Sequence, residues 1–119
     1  MHWNLNKNRP VCPQICEQLC ARIAAGELLP QQRLMSVREV ALAAGVNPNT
    51  VQRAFEQLEQ QGVLYSVRGA GWYVSADTTV ACTLCADLVQ QTLQAFFDKM
   101  TALGISPEET KKCVKEWQI

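Results

Sequence analysis

The chain has 119 residues, 48% of them hydrophobic, and its 11 basic and 11 acidic residues give a formal net charge of zero. This length allows one compact domain with a short appendage and excludes two full-sized domains, and the composition excludes a disordered chain. No stretch approaches the ~18 consecutive apolar residues that a membrane helix needs.

The first predicted helix spans residues 13–25, where Ile15, Leu19 and Ile23 recur every fourth residue and Gly26 stops the run. A second helix over residues 37–44 is predicted from Ser36-Val37-Arg38-Glu39, which has the form of a capping box. Gly45 follows at the position that favours a left-handed turn. The two predicted helices are separated by a loop that contains Pro30.

A third helix begins almost at once, with Asn47 as its N-cap and Pro48 in the first helical position. Its apolar stripe is Val51, Phe55 and Leu58, and Gly62 ends it. Two helices joined by so short a turn must cross steeply, which is the geometry of a helix-turn-helix.

The segment over residues 63–75 is predicted to form a β-hairpin, because strand-forming residues flank Arg68-Gly69-Ala70-Gly71. After it, Thr78 or Thr79 is predicted to cap a long amphipathic helix that reaches Leu103. A capping box at residues 106–109 opens a last helix that ends near Trp117. The predicted fold class is therefore mostly α with a small β-hairpin.

The chain resembles the GntR family of bacterial regulators, and within it the short YtrA-like branch. The segments that carry the resemblance lie at both ends of the first helix, in both helices of the helix-turn-helix and in the turn of the hairpin: Pro13-Gln14-Ile15, Gly26-Glu27-Leu28, Ser36-Val37-Arg38-Glu39-Val40-Ala41, Gly45-Val46-Asn47-Pro48-Asn49-Thr50-Val51, Leu58-Glu59-Gln60-Gln61-Gly62 and Arg68-Gly69-Ala70-Gly71. This resemblance implies a winged helix-turn-helix domain over residues 1–76 and a C-terminal two-helix dimerisation tail over residues 77–119. The chain departs from the family where Gln31 follows Pro30 in place of glycine, and where Trp72 replaces a small hydroxyl residue.

Double-stranded DNA is the partner that this resemblance implies. Family members contact DNA at the position of Arg38, and the start of a recognition helix is the end that reaches base edges. Asn47 is also explained as a cap, and the other positions as exposed surface. The predicted DNA-binding residues are Arg38, Asn47, Asn49, Thr50, Gln52, Arg53, Arg68 and Gly69.

The tail is predicted to hold two copies of the chain together as a homodimer, because one short helix covers only part of the apolar face of the long one. The predicted dimerisation residues are Leu88, Val89, Leu93, Phe96, Phe97, Met100, Leu103 and Trp117.

Six cysteines invite a second interpretation. Cys12, Cys16 and Cys20 share one helical face, and Cys82 and Cys85 have CxxC spacing, which can bind metal or form a redox pair. Cysteine also packs as a small hydrophobe, and the chain has one histidine and no matched second ligand pair. Because the N-terminus carries no apolar signal core, the chain is predicted to be cytoplasmic with reduced thiols. Because a second ligand pair is missing, no metal is predicted, and no cofactor is predicted either.

Three functions remain open on this reading. The first is a sequence-specific regulator, a dimeric repressor on an inverted-repeat operator, with an unidentified small effector as a further partner. The second is a redox or metal sensor that controls DNA binding through its cysteines, and the third is a winged-helix module for protein contacts. An enzyme is not expected, because the sequence has no clustered carboxylates and no phosphate-binding glycine loop.

Overall fold

The computed structural model describes residues 2–118, which form five helices and one two-stranded antiparallel sheet. The mostly helical class with a small hairpin is confirmed. The elements in chain order are α1 (Val11–Ala24), α2 (Val37–Ala44), α3 (Pro48–Gln60), β1 (Leu64–Val67), β2 (Gly71–Val74), α4 (Thr79–Ala102) and α5 (Pro107–Glu116).

The helices begin where side chains can accept the unpaired backbone N–H groups of the first turn. At α2 the capping box is complete: Glu39 N–H donates to Ser36 Oγ at 3.1 Å, and Ser36 N–H donates to Glu39 Oε1 at 3.2 Å. At α4 Thr78 stands directly before the first helical residue, and its carbonyl accepts the Cys82 N–H at 3.0 Å, but the side chain that accepts a first-turn N–H is that of Asp77. The Thr79 N–H donates to Asp77 Oδ1 at 2.9 Å, because the short carboxylate side chain reaches the N–H two residues ahead. Hydrogen bonding from Thr79, first from its side chain and then from its backbone N–H, lowers the pKa of Asp77.

One hydrophobic core lies between α1, α2, α3 and the hairpin. It contains the apolar faces that the helical spacing predicts, with Phe55, Ile15 and Leu19 among its largest fully buried side chains. The hairpin contributes Val63 and Val74, which are also fully buried. Since this core draws on helices and strands alike, it fixes the hairpin against the helix-turn-helix.

The loop before α2 pairs with β2 over a few residues, which the sequence pattern does not reveal. We call this short stretch of pairing the third edge of the sheet. The loop before α2 runs along β2, where Leu34 N–H donates to the Trp72 carbonyl at 2.8 Å and Val74 N–H donates to the Gln32 carbonyl at 2.9 Å. Gln31 begins this edge with a left-handed backbone, at φ 64°. Trp72 lies edge-on to Phe55, with ring centroids 5.5 Å apart, so the residue that departs from the family packs against the core.

The chain divides into two compact units, one ending at Cys85 and the other beginning at Ala86. The first two turns of α4 therefore belong with the winged domain, because Ala81 is buried in its core and Leu84 packs against that core. In the second unit, α4 ends in a turn at Gly104, and Ser106 Oγ accepts the Glu109 N–H at 3.2 Å to begin α5. The functional division of the chain at residues 76 and 77 stays a prediction.

Candidate DNA interface

The turn between α2 and α3 sets the crossing of the two helices. Gly45 ends α2 in a left-handed conformation, at φ 68°, and the Val46 N–H donates back to the Ala41 carbonyl at 3.0 Å. Two residues after Gly45, Asn47 Oδ1 accepts the Asn49 N–H at 2.8 Å and begins α3. Because Val51 on α3 is fully buried, the second helix is anchored and its polar N-terminal side chains lie on the surface.

The predicted recognition residues of α3 are on its accessible side. Asn49 and Arg53 are exposed, and Thr50 and Gln52 are half-buried. The Gln52 amide donates to Glu56 Oε1 at 2.9 Å, a partner one turn along the same helix. Thus α3 presents amides, a hydroxyl and a guanidinium close together, which are the groups that read base edges and phosphates.

Three exposed arginines lie on this helix and on the elements that pack against it. Arg38 lies in the first turn of α2, Arg53 on α3 and Arg68 at the tip of the hairpin. Within residues 2–118 none of the three forms a salt bridge, since the one salt bridge found there joins Arg22 and Glu27. Their guanidinium groups are therefore available to an anionic partner.

The hairpin tip has the backbone of a tight turn. Gly69 has φ 81°, next to Arg68, and the Ala70 N–H donates to the Val67 carbonyl at 2.9 Å. Glu59 ties this wing to α3, since its Oε2 accepts the Ser66 hydroxyl at 2.8 Å. The wing is thereby fixed relative to the recognition helix.

A further cation beside the wing was missed by the sequence analysis. Arg33 pairs with Tyr73 on β2, and its Nε lies 3.5 Å from where a Cβ on Gly71 would stand. Arg33 is exposed. The sequence signal that could have identified Arg33 is its position just before the core residue Leu34. Its closeness to the wing, however, depends on the third edge of the sheet.

The cysteines of α1 are packing groups. Burial raises the pKa of Cys16 to about 12 and that of Cys20 to about 11, with the neighbouring thiols adding to the shift. Such thiols stay protonated at neutral pH, whereas the thiolate is the form that binds metal or attacks a disulfide. Cys82 is exposed and Cys85 half-buried. In the part of the chain that the structure describes, no group of three or more His, Cys, Asp or Glu residues could hold a metal ion.

The family model described as bacterial regulatory proteins, gntR family, matches residues 13–74, which is more than half of the chain. The chain belongs to the GntR family. Those residues run from α1 to the end of β2 and contain the whole helix-turn-helix and wing. Members of this family are transcriptional regulators and not enzymes, so the expectation that no enzyme is present is confirmed.

Two relatives from Bacillus subtilis (strain 168) match this GntR regulator over most of its length. The HTH-type transcriptional regulator YhcF is 34% identical over 115 residues, which are 97% of this chain and 95% of YhcF. The HTH-type transcriptional repressor YtrA is 34% identical over 109 residues, 90% of this chain and 83% of YtrA. The resemblance to short YtrA-like regulators is thus confirmed.

Solved structures agree with this assignment. A GntR family transcriptional regulator from Listeria monocytogenes has a TM-score of 0.83 and 33% identity, covering 96% of this chain and 100% of its own. AraR(DBD) in complex with operator ORX1 has a TM-score of 0.57 and 29% identity, covering 63% of this chain and 99% of its own. The winged helix-turn-helix fold is confirmed, and the protein is a DNA-binding transcriptional regulator. None of its helices, over residues 2–118, is long and apolar enough to cross a membrane.

Proposed function

We propose that this regulator is a homodimeric repressor that acts in the cytoplasm on an inverted-repeat operator. The observation that carries the proposal is the combination of three unpaired arginines around an exposed recognition helix with an apolar surface on the second unit. The relative YtrA, which matches over most of both chains, is named a repressor. A repressor needs no more than tight, specific occupation of its operator.

The DNA contacts divide by chemistry. Arg38 and Arg68 carry exposed cations at two separate places beside α3, and such cations bind phosphates. Asn49, Thr50 and Gln52 read base edges from the first turns of α3, as the N-terminal residues of recognition helices do. Arg53 adds a cation on the same helix, Asn47 acts first as the cap, and Gly69 permits the turn at the wing tip.

The proposal of a dimer rests on the apolar surface of the second unit alone. Several large apolar side chains stay exposed there, and the most exposed are Leu103 at 69% and Trp117 at 73%. Between α4 and α5 lies a groove of about 450 Å³, lined by Phe96, Met100, Cys113, Val114 and Trp117. Val89 and Leu93 are half-exposed along α4, and Leu88 and Phe97 are partly buried beside them.

Large contiguous apolar patches are uncommon on soluble monomers. A second copy that presents the same patch across a twofold axis is the simplest cover, because it hides both patches at once. Such a dimer holds two recognition helices at a fixed separation and therefore demands two half-sites related by the same twofold axis. The inverted-repeat operator follows from the dimer.

DNA recognition is tested with duplexes that the intact protein selects from a random pool. Arg38→Ala and Arg68→Ala should each weaken binding and reduce its salt dependence, because each removes one phosphate contact. Gln52→Ala should instead relax the discrimination between operator variants. Lys112→Ala, an exposed lysine of α5, is the matched control and should bind like wild type. Wild-type binding by Arg38→Ala, Arg68→Ala and Gln52→Ala alike would refute the proposed docking.

Assembly is tested by sedimentation of the intact protein at micromolar concentration, where a dimeric mass is expected. Leu93→Glu places a charge on the apolar face of α4 and should shift the mass towards the monomer. Leu29→Glu is the control, since Leu29 is similarly exposed but lies in the winged domain. A monomeric wild type, or a dimer that Leu93→Glu leaves unchanged, would rule out this interface.

A further inference from the structure

The residues before α1 are bound firmly to that helix. Trp3 is buried against the core, with the Arg22 guanidinium 4.4 Å from its ring centroid. Asn4 exchanges two hydrogen bonds with the Gln18 side chain, since its N–H donates at 3.2 Å and its carbonyl accepts at 2.7 Å. Each of these contacts joins residues 14 or more positions apart, so this segment, residues 2–10, which we call the N-terminal arm, is held by tertiary contacts.

The same pairing recurs one step along the arm. Asn6 N–H donates to Gln14 Oε1 at 2.7 Å, and Gln14 Nε2 donates to the Asn6 carbonyl at 2.8 Å. Gln14 is itself buried, and its Nε2 also lies 2.9 Å from the Pro10 carbonyl. The side-chain amides of Gln14 and Gln18 thus hydrogen-bond to the backbone of the arm at two places. The backbone next to Lys7 is therefore fixed in position.

Lys7 reaches from this arm to the turn of the helix-turn-helix. Its Nζ donates to the Gly45 carbonyl at 2.8 Å, although 38 residues separate the two in sequence. Gly45 stands two residues before Asn47, so its Cα lies within about 8 Å of the Cα of the residue that caps the recognition helix. A lysine ammonium has three N–H donors, and this hydrogen bond uses one of them.

The ammonium of Lys7 remains available for another partner. Lys7 is exposed, and within residues 2–118 the salt bridge found is that of Arg22 with Glu27, so no carboxylate neutralises it. When the N-terminus of a recognition helix enters a major groove, the turn before it lies at the phosphate-lined rim of that groove. A cation at this point faces the backbone of the DNA.

We propose that Lys7 is a DNA phosphate contact that the N-terminal arm presents beside the turn between α2 and α3. The proposal rests on the DNA binding proposed above and adds a residue outside the helix-turn-helix and the wing. Because the arm is already ordered by Trp3 and the two glutamine pairs, little further ordering is needed when the phosphate binds. The competing role for Lys7 is purely structural: a cation near the last carbonyls of α2 stabilises that helix end.

The two roles differ in their salt dependence. The test measures affinity across a range of salt concentrations for two probes, a duplex selected by the wild type and an unrelated duplex of equal length. Lys7→Met removes the charge and keeps most of the side-chain length, and Lys7→Arg keeps the charge. Lys112→Met is the matched control on α5. Thermal unfolding of each variant is recorded in parallel.

Affinity falls as salt rises, so the slope of log affinity against log salt is negative. A phosphate contact predicts that Lys7→Met makes this slope less steep by about 0.9 for each bound protomer. The loss of affinity at low salt should be several-fold and equal on both duplexes, because a phosphate carries no sequence information. Lys7→Arg should stay close to wild type, and Lys112→Met should match it.

An unchanged salt slope overturns the proposal, whether or not affinity falls. A lower melting temperature together with weaker binding at an unchanged slope would assign Lys7 to the stabilisation of α2 alone. If the wild type selects no duplex from the random pool, the proposed function itself is refuted, and with it this contact. If the wild type binds its selected duplex and Lys7→Met binds it with the same affinity and salt slope, only the proposed Lys7 contact is refuted.

Discussion

Replacing Gln31 by glycine should stabilise the protein, which is unusual for a glycine substitution. Gln31 has φ 64°, the one positive φ of a non-glycine residue among those described, at the position where the family has glycine. A left-handed conformation costs about 1–2 kcal/mol for a residue with a Cβ. The conformation is imposed by the third edge of the sheet, where Gln31 N–H donates to the Val74 carbonyl at 2.9 Å.

The magnitude follows from two opposing terms. Glycine removes the strain of about 1–2 kcal/mol, but its greater freedom in the unfolded chain opposes folding by roughly 0.5–1 kcal/mol. The free energy of unfolding should therefore rise by about 0.5–1 kcal/mol, which corresponds to an increase in melting temperature of about 2–6 °C for a domain of this size.

Gln61→Gly is the matched control, because Gln61 is also exposed but has φ −84°. It should lower the free energy of unfolding by roughly 0.5–1 kcal/mol, since it brings the unfolded-state term without the relief of strain. Urea denaturation at one fixed protein concentration measures both variants. The difference between them isolates the backbone strain, and two equally destabilised glycine variants would show that Gln31 carries none.

Four further predictions concern the winged domain. Ser36→Ala should reduce the free energy of unfolding by about 1 kcal/mol, because it removes the acceptor of the capping box; an unchanged urea midpoint would contradict this. Phe55→Ala should cost about 3–5 kcal/mol, since the ring is fully buried against Trp72, and a loss below 1 kcal/mol would refute that packing. In the native protein a thiol reagent should modify exposed Cys82 rapidly and Cys16 only on unfolding. Because the pKa of Cys16 is raised from 9.0 to about 12, its thiol contributes stability below pH 9 that is lost as the pH rises towards 12, and a thermal midpoint that rises over that interval would be inconsistent with this sign.

Local chemistry in the sequence determines most of the winged domain. The capping box at Ser36 and the cap at Asn47 act over two or three residues, so they can be recognised without knowledge of the fold. The apolar stripe of α3 and the glycines of the hairpin turn are also short-range signals. The starts of α2 and α3, the hairpin and the family were therefore predicted correctly. The start of α1 was placed two residues late, at Pro13, because a proline in the first turn needs no N–H partner.

Only the tertiary structure decides the features that join distant parts of the chain. Gln31 adopts a glycine-like backbone because β2 pairs with the loop before α2, and the same pairing brings Arg33 beside the wing. Lys7 reaches Gly45 because Gln14 and other residues of α1 hold the N-terminal arm. No local pattern encodes these contacts, since each depends on backbone groups brought together by the core. The division of α4 at Cys85 has the same origin: its helical periodicity is continuous, and only the burial of its first turns assigns them to the winged domain.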